Sequence, residues 1–284
     1  MGALRKQMDG DLVVRGMAVR TREAYLGAVA GLAKYYGRRP DRIDEAEVQR
    51  YLLHLIEERK LAWASCNVAV QGLKFFYRVT LKRPEAQFGI PRARQPQKLP
   101  QILAREEVAR LIERTAHPKH RAILMTTYGA GLRLNELCHL KISDIDSARM
   151  TLRVEQGKGA KDRYTLLSPR LLTELRRYWA FYRPKLWLFP SKDGAHPISD
   201  ATVQKIFYRA KARAGISKDC GIHGLRHAFA THLLEAGVDI HTIQRLMGHG
   251  HISSTLRYFH LARKHLANTP SPLELLDRAD TALR

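Results

Sequence analysis

Apolar residues recur with a helical period along most of the chain. Between Thr21 and Tyr36 they fall at Ala24, Tyr25, Ala28, Val29, Leu32 and Tyr36, one face of a helix that Gly37 can stop. Asp44 followed by Glu47 has the form of a capping box, and the helix it opens turns Val48, Tyr51, Leu52 and Leu55 inward. Cys66 to Val79 gives a further helix through Val70, Leu73, Phe76 and Tyr77. These segments predict a helical bundle over residues 1–89. Its aromatic residues lie on the apolar faces, so they read as core rather than as a platform for stacking bases.

The period breaks at residues 90–100. Pro91, Pro96 and Pro100 disfavour helix and hold the chain extended. Arg92, Arg94 and Lys98 keep this linker solvated, and they suit either water or a phosphate backbone. Beyond it, helices are predicted over Arg105–Arg114 and His120–Tyr128. The period then shortens to two. Met150–Glu155 and Arg163–Leu167 read as strands joined by the glycine-bearing turn Gln156–Asp162. Pro169 opens another helix, Ser199 caps the next, and Gly224–Ala236 forms one that ends at Gly237. The fold class is therefore mainly α with a small β-sheet. A helical N-terminal domain precedes an α+β domain over 101–284.

Charge narrows the partners. Lys and Arg number 49 against 27 Asp and Glu, a net charge of +22. Such an excess points to a polyanion, because neutralised phosphates release counterions. No apolar run spans a bilayer, and Met1–Gly16 mixes charge through its apolar residues unlike a signal peptide. Cys66, Cys138 and Cys220 are scattered and odd in number, which argues against a disulfide framework or zinc ribbon and fits a reducing cytoplasm.

Four segments concentrate candidate chemistry. In Gly129-Ala130-Gly131-Leu132-Arg133, the guanidinium of Arg133 suits a phosphate, and Glu136 one turn on can brace it; a plain turn with a surface ion pair is the alternative. Gly157-Lys158-Gly159 gives a lysine mobility at a hairpin tip, without the surroundings of a P-loop. In His223-Gly224-Leu225-Arg226-His227, positions 223 and 226 share a helix face at an N-terminus, a natural phosphate site. His223 and His227 also have metal-ligand spacing, but Gly224 replaces the zincin glutamate and no third ligand lies near, so no metal is expected. Finally, Leu246-Met247-Gly248-His249 precedes Tyr258 on a short helix that Ser253 can cap. Leu233 to Leu246, with Gly237 between helices, also mimics a helix-turn-helix.

In this order the segments resemble the tyrosine recombinase family, the phage integrase and Xer class. The matching set is Arg133, Lys158, His223, Arg226, His249 and Tyr258. The contexts match too: Gly-Leu-Arg-x-x-Glu-Leu, Gly-Lys-Gly-x-Lys-x-Arg at 157–163, His-x-Leu-Arg-His, and Leu-Met-Gly-His at 246–249. Asn135, Ala228 and Phe259 depart from the common pattern without removing a catalytic group. Thr21-x-x-x-Tyr25 looks like part of the family's core-binding (SAM-like) domain.

The resemblance implies a site-specific recombinase acting on double-stranded DNA. Tyr258 would form a 3′-phosphotyrosyl link, Arg133 and Arg226 would hold the phosphate, and Lys158 would protonate the leaving oxygen. His223 would assist Tyr258 as base and His249 would donate to the phosphate. Arg92, Arg94, Lys98, Lys161 and Arg163 are the expected further DNA contacts. No cofactor, metal or ATP is expected. A tail after Pro270, with Leu273, Leu275 and Leu276, would dock on a neighbouring protomer, giving a tetramer on two sites; an accessory protein is left open. A type IB topoisomerase and a non-catalytic DNA-binding regulator are the rival readings.

Overall fold

The computed structural model describes residues 2–90, 101–155 and 162–259. The chain divides into two compact units, one up to residue 97 and one from residue 98. Among the described residues no helix is long and apolar enough to cross a membrane.

The first unit is a bundle of α1 (Ala3–Val14), α2 (Val19–Tyr36), α3 (Glu45–Glu57) and α4 (Trp63–Phe75). The predicted capping box opens α3: Glu47 N–H donates to the Asp44 carboxylate at 2.8 Å, and Asp44 N–H donates to the Glu47 carboxylate at 3.0 Å. Leu12, Leu32, Leu52, Leu73, Phe76 and Tyr77 are buried at its centre. Gly72 lets α4 lie against α2, where a Cβ would sit 2.9 Å from Tyr25 Cα. One expectation needs correction. The helix predicted over Cys66–Val79 starts earlier and changes at Phe76 to a π turn through Thr80. The α1 segment carried no readable period, because only Met8 and Leu12 of its twelve residues are buried and Gly10 interrupts it.

The second unit is built on α6 (Pro118–Gly129), whose residues Ala122–Thr127 are buried without interruption. Around it lie α5 (Arg105–Glu113), the short α7 (Leu134–Cys138), α8 (Pro169–Tyr182), α9 (Asp200–Arg213) and α10 (His223–Glu235). Helices α11 (Ile240–Met247) and α12 (Ser253–Phe259) close the described chain. A three-stranded antiparallel sheet runs β1 (Ile145–Asp146), β2 (Thr151–Val154), β3 (Arg163–Leu166) in spatial order. Its register pairs Val154 with Arg163 and Leu152 with Thr165. Thr165 Oγ1 donates to Ala130 O at 2.8 Å, fixing β3 beside the turn that leads to Arg133.

Candidate active site

Two glycines shape the site. Gly131 has φ +62°, and a Cβ there would meet Phe229 Cδ1 at 2.4 Å. The turn before Arg133 therefore packs directly on α10. Gly248 has φ +61° and ends α11 in a Schellman turn, with His249 N–H donating to Gln244 O at 3.2 Å.

The carbonyls at a helix end have no partner within the helix and carry its partial negative charge. At the end of α11, three consecutive carbonyls each take a different arginine. Leu246 O accepts from Arg163 Nε at 2.9 Å, Met247 O from Arg226 Nη2 at 2.6 Å, and Gly248 O from Arg133 Nη2 at 3.0 Å. Arg226 Nη1 also donates to Gly131 O.

Glu136 is the counterion of this group. It accepts from Arg163 Nη1 and Nη2 at 2.8 and 2.7 Å, from Arg133 Nη1 at 2.7 Å, and from Arg133 N–H at 2.8 Å. Arg226 Nη1 lies 3.8 Å away. Burial raises the Glu136 pKa, but the hydrogen bonds and charge of Arg163, then those of Arg133, outweigh it and hold the carboxyl at about 2. Burial, then the Arg133 charge, lowers the Arg226 pKa, and Glu136 opposes this.

His249 joins the arginines to the tyrosine. Its Nε2 lies 3.2 Å from Arg226 Nη2, and its Nδ1 lies 2.9 Å from Thr255 Oγ1. Arginine only donates, so Nε2 accepts and Nδ1 carries the proton toward Thr255. The His249 ring stacks on Tyr258 at 6.3 Å and 7°. Tyr258 is 5% exposed and packs with Phe229, Ala230 and Met247. Its hydroxyl lies 2.9 Å from His227 Nδ1.

The structure thus brings Arg133, Glu136, Arg226, His249 and Tyr258 together from four separate stretches of chain. His223, expected to assist Tyr258 as base, is exposed at the start of α10, its ring 6.4 Å from that of His227. Desolvation, then the charges of Arg226 and Arg133, lowers the His223 pKa while Glu136 opposes. Arg163, expected on DNA, turns inward: its side chain is 9% exposed and all three nitrogens are engaged within the protein. Lys158, Lys161, Arg92, Arg94, Lys98 and the tail after Pro270 lie outside the described residues. Sequence reasoning missed the His227 contact, though spacing four after His223 put it one turn on along α10.

The phage integrase family model matches residues 101–265, and the phage integrase N-terminal SAM-like domain model matches residues 4–87. The chain belongs to the phage integrase family. It is a tyrosine recombinase, an enzyme that cuts and rejoins DNA strands. An integrase/recombinase of Sinorhizobium fredii, y4qK, is 44% identical over 279 residues, covering 98% of this chain and 91% of that one. The tyrosine recombinase XerA of Pyrococcus furiosus is 38% identical over 218 residues, covering 75% of each. In fold, the recombinase is similar to a lambda integrase solved as a tetramer bound to a Holliday junction. The TM-score is 0.71 at 21% identity, over 90% of this chain and 76% of that one.

Proposed function

We propose that the recombinase cleaves DNA through Tyr258, whose phenolic oxygen attacks the scissile phosphate and leaves a 3′-phosphotyrosyl link and a free 5′-hydroxyl. The observation that carries this reading is the chain of contacts from Arg226 through the His249 ring to Tyr258. It sets a tyrosine one imidazole ring away from Arg226, and arginine forks match the oxygens of a phosphate. Arg226 and Arg133 stabilise the charge that gathers on the non-bridging oxygens in the transition state. A phosphate seated between Arg226 and His249 favours the imidazolium, which then donates to it from Nε2. His223, at the open start of α10, assists Tyr258 as the base that takes its proton. Lys158 is the acid for the leaving oxygen. The covalent link conserves the bond energy, so rejoining needs no ATP.

Residues 1–89 act as the core-binding domain and 101–284 as the catalytic domain, joined by the basic linker 90–100. Arg92, Arg94, Lys98 and Lys161 contact the backbone of double-stranded DNA in the cytoplasm. Four copies act on two sites, the stoichiometry of lambda integrase on its junction, with the tail after Pro270 as the exchanged element.

The test is covalent trapping. A tiled pool of duplexes from the gene's own flanks carries one 5′-bridging phosphorothiolate each, in chelator. Wild type is expected to yield an adduct and Tyr258→Phe none. An adduct retained by Tyr258→Phe moves the nucleophile elsewhere. Tight binding by wild type without an adduct removes strand cleavage on that DNA.

A further inference from the structure

Within that reading, and dependent on it, His249 must aim one ring nitrogen at the phosphate, and a free imidazole can turn over. We infer that Thr255 is the positioning residue that fixes the His249 ring, and that it does so only when α12 is seated with Tyr258 in place. Thr255 itself exchanges no proton and touches no reacting atom.

The backbone of His249 is held twice by one residue. His249 N–H donates to Gln244 O at 3.2 Å, and Gln244 Nε2 donates back to His249 O at 3.1 Å. That leaves the side-chain torsions, which the contacts of the ring decide. Thr255 Oγ1 lies 2.9 Å from Nδ1, and Arg226 Nη2 lies 3.2 Å from Nε2. A guanidinium can only donate, so the proton of the neutral ring is on Nδ1 and Thr255 accepts from it. Nε2 is left facing Arg226, where the phosphate is to sit. Protonation there makes Nε2 a donor to the phosphate without any rotation, since Nδ1–H keeps its acceptor.

This is not the ordinary use of a buried threonine in the chain. Thr115, Thr126 and Thr127 are also buried, and each donates its hydroxyl to the carbonyl four residues before it, at 2.7, 2.7 and 2.8 Å. The hydroxyl of Thr255, a residue 1% exposed, meets a side chain from outside its own helix.

Thr255 and Tyr258 lie three apart on α12 and share a face. That face meets His249 twice, through the Thr255 bond and through the Tyr258 ring, which is parallel to the imidazole within 7°. A displaced α12 therefore removes the nucleophile and the anchor of the phosphate donor together. Without the hydroxyl, Nδ1–H has no acceptor, and rotation of the ring relieves it.

The test uses the full chain and a trapping duplex with a 5′-bridging phosphorothiolate at the cleaved position. Thr255→Val keeps the shape of the side chain and removes the hydroxyl. It is expected to form adduct roughly tenfold more slowly, with unchanged DNA affinity. Thr255→Ser should recover most of that rate. In a His249→Ala background, where the ring is gone, Thr255→Val should cost nothing further. A wild-type rate for Thr255→Val, no recovery in Thr255→Ser, or the same loss in the His249→Ala background would each overturn the proposal. The last would assign Thr255 to the packing of α12 alone. A second readout needs no DNA. In 15N spectra recorded above the histidine titration range, the His249 ring, assigned by its absence from His249→Ala, should carry its proton on Nδ1, and that resonance should move in Thr255→Val. A wild-type ring protonated on Nε2, or an unmoved resonance, would remove the contact itself. Adduct formation by wild type and not by Tyr258→Phe keeps the wider reading whatever Thr255→Val does.

Discussion

Glu136 grips Arg163 with both carboxylate oxygens, at 2.8 and 2.7 Å, and gives the first of them to Arg133 as well. Two of the three arginines that cap the end of α11 therefore share one buried carboxylate. The arginine that holds the sheet to the site and the arginine assigned to the phosphate are coupled through a single side chain.

That coupling has a pH signature. The Glu136 carboxyl is held at about 2 against an ordinary value of 4.5. A depressed carboxyl stabilises the fold above its unfolded pKa and loses that contribution as pH falls through the folded one. The contribution, about 3 kcal/mol, should be complete above pH 4.5 and fade toward pH 2. Glu136→Gln should cost a similar amount at neutral pH, since it strands two guanidinium groups. Its urea stability should also fall less steeply from pH 4.5 to 2 than that of wild type. Parallel acid profiles would contradict the assignment.

Gly248 and Arg163 should be energetically coupled. A Cβ on Gly248 would lie 2.7 Å from Arg163 Cδ, at a backbone φ of +61°. Gly248→Ala should cost about 2 kcal/mol, part strain and part clash. In an Arg163→Ala background the clash disappears and only the strain remains, so the cost should drop by about 1 kcal/mol. Strict additivity in that double-mutant cycle would mean that Arg163 does not occupy the space against Gly248.

The motif residues were legible because their chemistry constrains their type. Arginine forks, a glycine before each turn and a tyrosine after a histidine can be read from order alone. Orientation was not legible. Nothing in Gly-x-Lys-x-Arg says that Arg163 turns inward to Glu136, because burial of a guanidinium depends on a carboxylate 27 residues away. His227 was equally hidden, since its partner Tyr258 arrives from 31 residues on. Among the helices, α3 announced itself through Asp44 and Glu47. The short α7, held by one turn of backbone, left no period to read.

Gly131 should tolerate no side chain. Its positive φ and the Phe229 ring 2.4 Å from a notional Cβ act together. Gly131→Ala should destabilise by about 2–4 kcal/mol. Phe229→Leu should recover part of that loss by vacating the ring edge. If Phe229→Leu only adds its own cost, the turn and α10 are not in the contact described. Melting temperatures of the four proteins decide it.

Tyr77 offers a test of whether the two units unfold separately. Its hydroxyl, on a side chain 1% exposed, donates to Ile43 O at 2.8 Å and lies 3.0 Å from Pro40 O. Burial raises its pKa further above the tyrosine range, so it stays a donor at any working pH. Tyr77→Phe leaves those carbonyls short of a donor just ahead of the α3 cap, and should cost about 1–3 kcal/mol. Trp63 is in the first unit and Trp179 and Trp187 are in the second, and these are the chain's three tryptophans. In a Trp179→Phe/Trp187→Phe background, Tyr77→Phe should shift the urea midpoint reported by Trp63. In a Trp63→Phe background the midpoint should stay put, because each unit has its own core. Equal shifts in both backgrounds would mean that the bundle and the catalytic unit melt as one.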